Sequence, residues 1–465
     1  MRKLIFIYAL TIFFCQKAWA QFSSVTDLES VIINTDTKEK PQSKVWMHDG
    51  KYWMVLPNIA GTHVWRLDGT TWTNVLTISS SENGRADCKV AGDLVHVFLY
   101  RKSTSYLVSI EYVPEIKTYK PWSLRPFRVP VLIDTTAETA TIDIDTAGRM
   151  WLASDIDTTI IAMWSDPPYS NWSKPIVIAS NVLPDDIGAV TAFPMFNKIG
   201  IFWSNQRTKR FGFKLHPDGA PPERWSTDEV PAGKSALNIG AGMADDHMNM
   251  TLGRDGTLYC AVKTSYDKSG YPRLGLLIRR PNGVWDNLYE ISDIGTRPIV
   301  LLSESIGKVR VVFSASENGG DILYKESVIS RINFGPTFTL IPGKYNSSTS
   351  IKNNNNLEAV ILASEPLRAV GVHVADDLSG LPELEAVPNP LHSGYSTISF
   401  TVPANSEYSI TLQNMAGKLI RILKGYAITE EKHSINIEAT QIPLGIYVLR
   451  LQTDKSSKSL KIMRN

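Results

Sequence analysis

One rhythm runs from Lys44 to about Asp377: a short apolar strand, a tight glycine turn, a second apolar strand, then a longer polar connection. Its clearest copies are Val45 to Leu56, turning at Asp49-Gly50, and Ile142 to Ala153, turning at Asp145-Thr146-Ala147-Gly148. Met248 to Val262, turning at Asp255-Gly256, is a third. Asp and Gly between apolar strands signal hairpins because both tolerate the positive φ of tight turns. No helical periodicity competes, so each copy predicts a β-meander and the chain reads as all-β.

Copies begin near Lys44, Arg85, Glu138, Asp185, Asp245, Arg297 and Ser348. Their spacing, roughly 40 to 60 residues, is that of four-stranded propeller blades. This predicts a seven-bladed β-propeller over residues 22–378. The last copy is short and ends near Val374, whereas Val25 to Ile33 stands alone ahead of the first. Pairing chain start with chain end would remove two exposed sheet edges, so that closure is expected.

Arg2 and Lys3 precede the apolar run Leu4 to Phe14, and Ala18-Trp19-Ala20 offers small residues for cleavage. Residues 1–20 therefore read as a secretory signal, and the mature chain would begin at Gln21. Cys15 follows Phe13-Phe14 and lacks the small residues of a lipidation site. No later apolar stretch is long enough to cross a bilayer, so no transmembrane segment is expected in the mature chain. The 48 basic and 46 acidic residues nearly cancel, which leaves no field to recruit nucleic acid. A monomer is expected. Cys88 and Cys260 lie far apart without metal-ligand spacing and read as small buried hydrophobes, a disulfide being the lesser alternative. The 12 Trp and 17 Tyr suit sugar stacking or, more simply, blade packing. Trp46, Trp65, Trp151 and Trp203 are the rings to inspect.

From Leu384 the composition changes. Val387-Pro388-Asn389-Pro390 opens a stretch with a Gly417-Lys418 turn between strands, the strand Leu444 to Leu451 carrying Gly445 and Tyr447, and a basic tail from Lys455. These motifs closely resemble the type A sorting domain of the type IX secretion system. The resemblance implies a small β-sandwich over 385–465, after a linker at 379–384. It also implies contact with the type IX machinery, a secreted or outer-surface location, and a Bacteroidetes-type envelope. Such a domain is an address and leaves the cargo's chemistry open.

In a propeller, loops leading into the innermost strands converge with those leaving the second strands on one channel mouth. The former carry Arg85-Ala86-Asp87, Asp185-Asp186, Ala244-Asp245-Asp246-His247 and Thr296-Arg297-Pro298; the latter carry Ser204-Asn205-Gln206, Lys263-Thr264-Ser265-Tyr266 and Ser314. Asp246, His247, Lys263 and Tyr266 are the candidates for acid–base work. Arg85, Asp87, Asp186, Asn205 and Arg297 are the candidates for holding a ligand, anionic or hydroxyl-rich. The same groups could instead form salt bridges and cap inner-strand amides around a wet channel. Calcium is conceivable where Asp185-Asp186 and Asp245-Asp246 converge, but neither pair has calcium-loop spacing, so no metal or other cofactor is expected.

Asp145 to Trp151 looks like a relaxed sialidase Asp-box, which is a structural turn. A sialidase needs three arginines and a Tyr/Glu pair, and here only Arg85 and Arg297 fit. His247, Tyr266 and Arg297 fit a polysaccharide lyase by residue type alone. The leading expectation is an exported propeller that recognises an extracellular carbohydrate or related polymer at its mouth. Its rivals are a glycan-cleaving hydrolase or lyase and a structural or adhesive surface protein.

Overall fold

Asp49 and Gly50 take φ of 48° and 67°, the paired left-handed conformations of a type I′ hairpin. They join Val45–His48 to Lys51–Asn58. The Asp145 turn is built differently. Its carboxylate accepts from the Arg149 N–H and from Trp151 Nε1, each at 2.9 Å, and Gly148 supplies a φ of 85°.

The computed structural model describes residues 21–37, 41–82, 85–376, 383–392, 394–402, 406–415, 417–428, 431–453 and 457–465. The expected signal at 1–20 and most of the expected linker lie outside these residues. The described chain is strand and turn, with three short 3-10 segments and no α-helix.

Seven antiparallel sheets lie between Ser24 and Ala375, and six use consecutive strands. Their first strands are Val45–His48, Arg85–Ala91, Ala140–Ile144, Gly188–Phe193, Met248–Leu252, Thr296–Ser303 and Ser347–Thr349. We number the sheets in that order. The seventh is completed from the other end of the chain: Ser24–Ile32 pairs with Arg368–Ala375, Val25 opposite Val374. The lone strand ahead of the first repeat thus covers the edge of the last.

Most strands are apolar on both faces because each sheet is packed on both sides. In Met150–Ile156, Met150 and Leu152 join a cluster with the second sheet, while Trp151 and Ala153 join one with the fourth. Seven such clusters each fasten one sheet to the next, and the seventh joins Val360 and Leu362 of the last sheet to Val45 and Leu56 of the first. Burying a large apolar side chain contributes about 1.5–3 kcal/mol, so these contacts supply the main cohesion between sheets.

The free edges of the first strands are served by polar side chains from the neighbouring sheet, and at Val45 and Leu302 by backbone bridges to Ile351 and Asn355. Asp87 accepts from the Ser43 N–H at 2.9 Å and the Ile142 N–H at 2.8 Å. Thr141 accepts from Val190, Asp143 from Ala192, and Asn249 from Val300. Lys352 reaches across, its Nζ 2.5 Å from Asp87 and 2.8 Å from the Ile142 carbonyl. A cavity of about 20 Å³ beside Lys352, Thr191 and Asn249 has room for roughly one water. Cys88 and Cys260 are buried free thiols, as expected.

From Leu384 onward, two sheets share one hydrophobic cluster that includes Phe400, Leu412 and Leu449. One contains Leu384–Val387, Tyr395–Val402 and Glu431–Glu438. The other has the order Leu419–Ala427, Ser406–Asn414, Gly445–Thr453, Ser457–Arg464.

Candidate functional site: an acidic mouth

Glu138, Asp185 and Asp246 lie just ahead of the first strands of the third, fourth and fifth sheets. Carboxylate oxygens from all three come within 4.8 Å of one another. Like charges this close repel, so the surrounding scaffold must hold them. Glu138 is positioned by Asp155, whose fully buried carboxylate accepts from the N–H groups of Glu138 at 2.7 Å and Thr139 at 3.3 Å. Burial lifts the Asp155 carboxyl to about 7.

Asp246 belongs also to a second group. His247 Nδ1 is 2.7 Å from oxygens of both Asp245 and Asp246, which orients the ring with its Nδ1 hydrogen toward the carboxylates. The other Asp245 oxygen takes Lys263 Nζ and Ser265 Oγ, each at 3.1 Å. Burial alone would raise the Asp245 carboxyl, but the hydrogen bond from His247 and the nearby charges outweigh it and hold it well below the usual carboxylate range. Lys263 also reaches Glu317 at 2.6 Å, and Glu317 meets Arg273 at 2.7 Å. The Lys263 contact foremost draws the Glu317 carboxyl down to about 2.

Arg297 sits at a bulge with a φ of 51°, immediately before Pro298. A non-glycine residue there costs on the order of 1–3 kcal/mol, and such strain gathers at functional sites. Its guanidinium donates to Asn346 at 2.8 Å. Burial lowers its pKa from the ordinary value, and Glu317, Asp245, Asp36 and Glu138 oppose that shift. Arg297 therefore lies in the field of the acidic groups. Arg85 lines a cleft of about 220 Å³ with Asn34, Asp36 and Leu367.

The structure brings together Asp246, His247 and, through Asp245, Lys263; Arg297 donates to Asn346 within the field of these acids, and other candidates lie elsewhere. Asp87 is a fully buried fastening between sheets. Asp186, also fully buried, accepts from the N–H groups of Leu183 and Gln206 and so fixes a turn. Asn205 accepts from the Thr208 N–H in its own turn. Tyr266 packs in the core between the fourth and fifth sheets, where its hydroxyl accepts from the Leu237 N–H at 2.9 Å. In each, backbone amides that the fold leaves unpaired claim the polar group. Trp46, Trp65, Trp151 and Trp203 are at most 9% exposed and pack between sheets.

Glu138, Asp185 and Glu317 were not selected from sequence as site residues. Glu138 had a signal: it stands two residues ahead of its sheet's first strand, as Asp246 does. Chemically, the mouth offers carboxylate acceptors and an oriented imidazole, while Lys263 is occupied by ion pairs. Asp245, Asp246 and His247, or Glu138, Asp185 and Asp246, have the spacing of metal ligands. Acidic clusters that hold no ion share that spacing.

Three solved structures show what the chain is similar to. A polysaccharide lyase of the ulvan lyase family PL25 matches at 8% identity over 75% of this chain and 96% of its own, with a TM-score of 0.47. The β-propeller domain of Swd1 from Myceliophteria thermophila matches at 9% over 74% and 99%, with a TM-score of 0.42. An α-L-arabinanase of Penicillium chrysogenum matches at 10% over 76% and 98%, with a TM-score of 0.41. These likenesses concern a propeller-like architecture and carry nothing about activity. No curated protein matches the chain. Residues 386–465 match the family described as the secretion system C-terminal sorting domain. The chain therefore ends in a type IX sorting domain, which directs the protein to the cell surface or the extracellular space.

Proposed function

We propose that residues 22–378 form a seven-bladed β-propeller whose mouth recognises an extracellular carbohydrate or related hydroxyl-rich polymer, with 385–465 as a β-sandwich address behind the 379–384 linker. The circuit of seven inter-sheet clusters supports the ring. One observation carries the ligand reading: three carboxylates from three different sheets converge, and one of them, that of Asp246, meets His247. A carboxylate can accept from two hydroxyls at once, and such charge-assisted bonds are about twice as strong as neutral ones. With Lys263 paired, the groups at this mouth favour a neutral, hydroxyl-rich ligand over a polyanion. A lyase reading loses its phenol, since Tyr266 is in the core.

Glycan-array binding by the secreted protein tests the proposal. Asp246→Ala and Arg297→Ala should each lower the signal at least tenfold. Unchanged binding by both variants would overturn it. Unsaturated product absorbing near 235 nm, or new reducing ends from a bound polysaccharide, would move the mouth to the catalytic reading.

A further inference from the structure

The strand Leu419–Ala427 lies at one edge of its sheet, and no other strand pairs with its outer side among the described residues. The opposite edge, Ser457–Arg464, is covered. There Leu391 donates to the Met463 carbonyl at 2.6 Å, and Asn389 contacts both Lys461 and Met463. The two edges of one sheet are treated differently.

The open strand is apolar on both faces. Leu423 stands opposite core-facing Ile410, yet is 38% exposed; on the other face Ile422 and Tyr426 are 48% and 57% exposed. Leu419 and the following Ile428 are exposed as well. Two apolar faces mark a strand meant for cover on both sides, and a long apolar edge invites another strand. Its charges say which. Arg421 and Lys424 are exposed, and Lys418 precedes them, with no acidic residue from Tyr408 to Ile428. Antiparallel pairing with a second copy would bring these cations together, and like charges in register destabilise a pair. An acidic strand would meet no such opposition.

We propose that Leu419–Ala427 is a docking edge, to which a protein of the type IX machinery adds an extended segment with acidic residues among alternating apolar ones. Main-chain hydrogen bonds supply the affinity, and Arg421 and Lys424 select the partner. This rests on the sorting-domain match alone and is independent of what the mouth binds.

The test is export of the full chain from a host with type IX secretion. Arg421→Glu/Lys424→Glu should lower the extracellular fraction at least tenfold, with precursor held inside the outer membrane. Lys432→Glu, an exposed cation on the other sheet of the same domain and outside the basic tail, should export normally. Thermal unfolding of each variant checks its fold, and Ile422→Thr/Tyr426→Thr, which keeps β-propensity while removing the apolar face, should repeat the defect. Wild-type export by both edge variants would overturn the proposal. So would a wild-type dimer, seen in sedimentation velocity, that the Ile422→Thr/Tyr426→Thr change dissolves, because the edge would then serve a second copy.

Discussion

Asp185 and Asp246 lie 61 positions apart and enter the mouth from neighbouring sheets, yet their carboxylate oxygens come within 4.8 Å of each other. Unlike the buried acids nearby, Asp185 is exposed, so the fold gains little from it. Asp185→Asn should change stability by less than about 0.5 kcal/mol, as surface substitutions do. Losing one charge-assisted acceptor should weaken glycan binding about tenfold, or ~1.4 kcal/mol. Paired thermal melts and binding titrations check both halves.

Asp87 should behave in the opposite way. It holds the Ser43 and Ile142 amides and meets Lys352 at 2.5 Å with no exposure of its own. Asp87→Ala leaves a largely buried ammonium without its counter-ion, a loss of about 3–5 kcal/mol. Urea midpoints measure it, and a change below ~1 kcal/mol would contradict the fastening role.

Asp155 gives the fold a pH dependence of unusual sign. Its carboxyl is lifted by burial from 3.8 to about 7. Between those values the folded chain keeps a proton that the unfolded chain has shed, so this group's contribution to stability falls as pH rises from about 4 to 7 and is level above that. Asp155→Asn imitates the protonated form and removes the slope. The variant should therefore gain on the wild type between pH 5 and pH 8 in urea unfolding; a constant difference would contradict the assignment.

The strand Ser24–Ile32 covers the edge of Arg368–Ala375, with Leu28 and Val31 in the cluster that joins the last sheet to the first. A chain beginning at Thr35 would expose that edge and part of that cluster. It should melt at lower temperature and associate in size-exclusion chromatography, because an open apolar edge pairs with other chains. A monomer with wild-type stability would contradict the closure.

The fold was legible where chemistry is local. Asp49-Gly50 and Asp145 to Gly148 require the turns they form, and Val25 to Ile33, apolar but unpartnered, was left to complete the last repeat. The sorting domain was legible from motif order. The mouth was legible only in part, because strand period does not say which of two adjacent acids turns inward. Asp185 joins the cluster, whereas Asp186 is spent on the Leu183 and Gln206 amides. Asp87 misled for the same reason: an inner-strand edge amide claims an acceptor as readily as a ligand does.

The most direct test of the account is calorimetric titration of the best array glycan into three proteins: wild type, Asp246→Asn, and Arg254→Ala, which alters the hairpin at the far end of the fifth sheet. Asp246→Asn should bind at least tenfold more weakly than the wild type, and Arg254→Ala should keep wild-type affinity. Equal affinity for wild type and Asp246→Asn, or loss in Arg254→Ala alone, would contradict a ligand site at the acidic mouth.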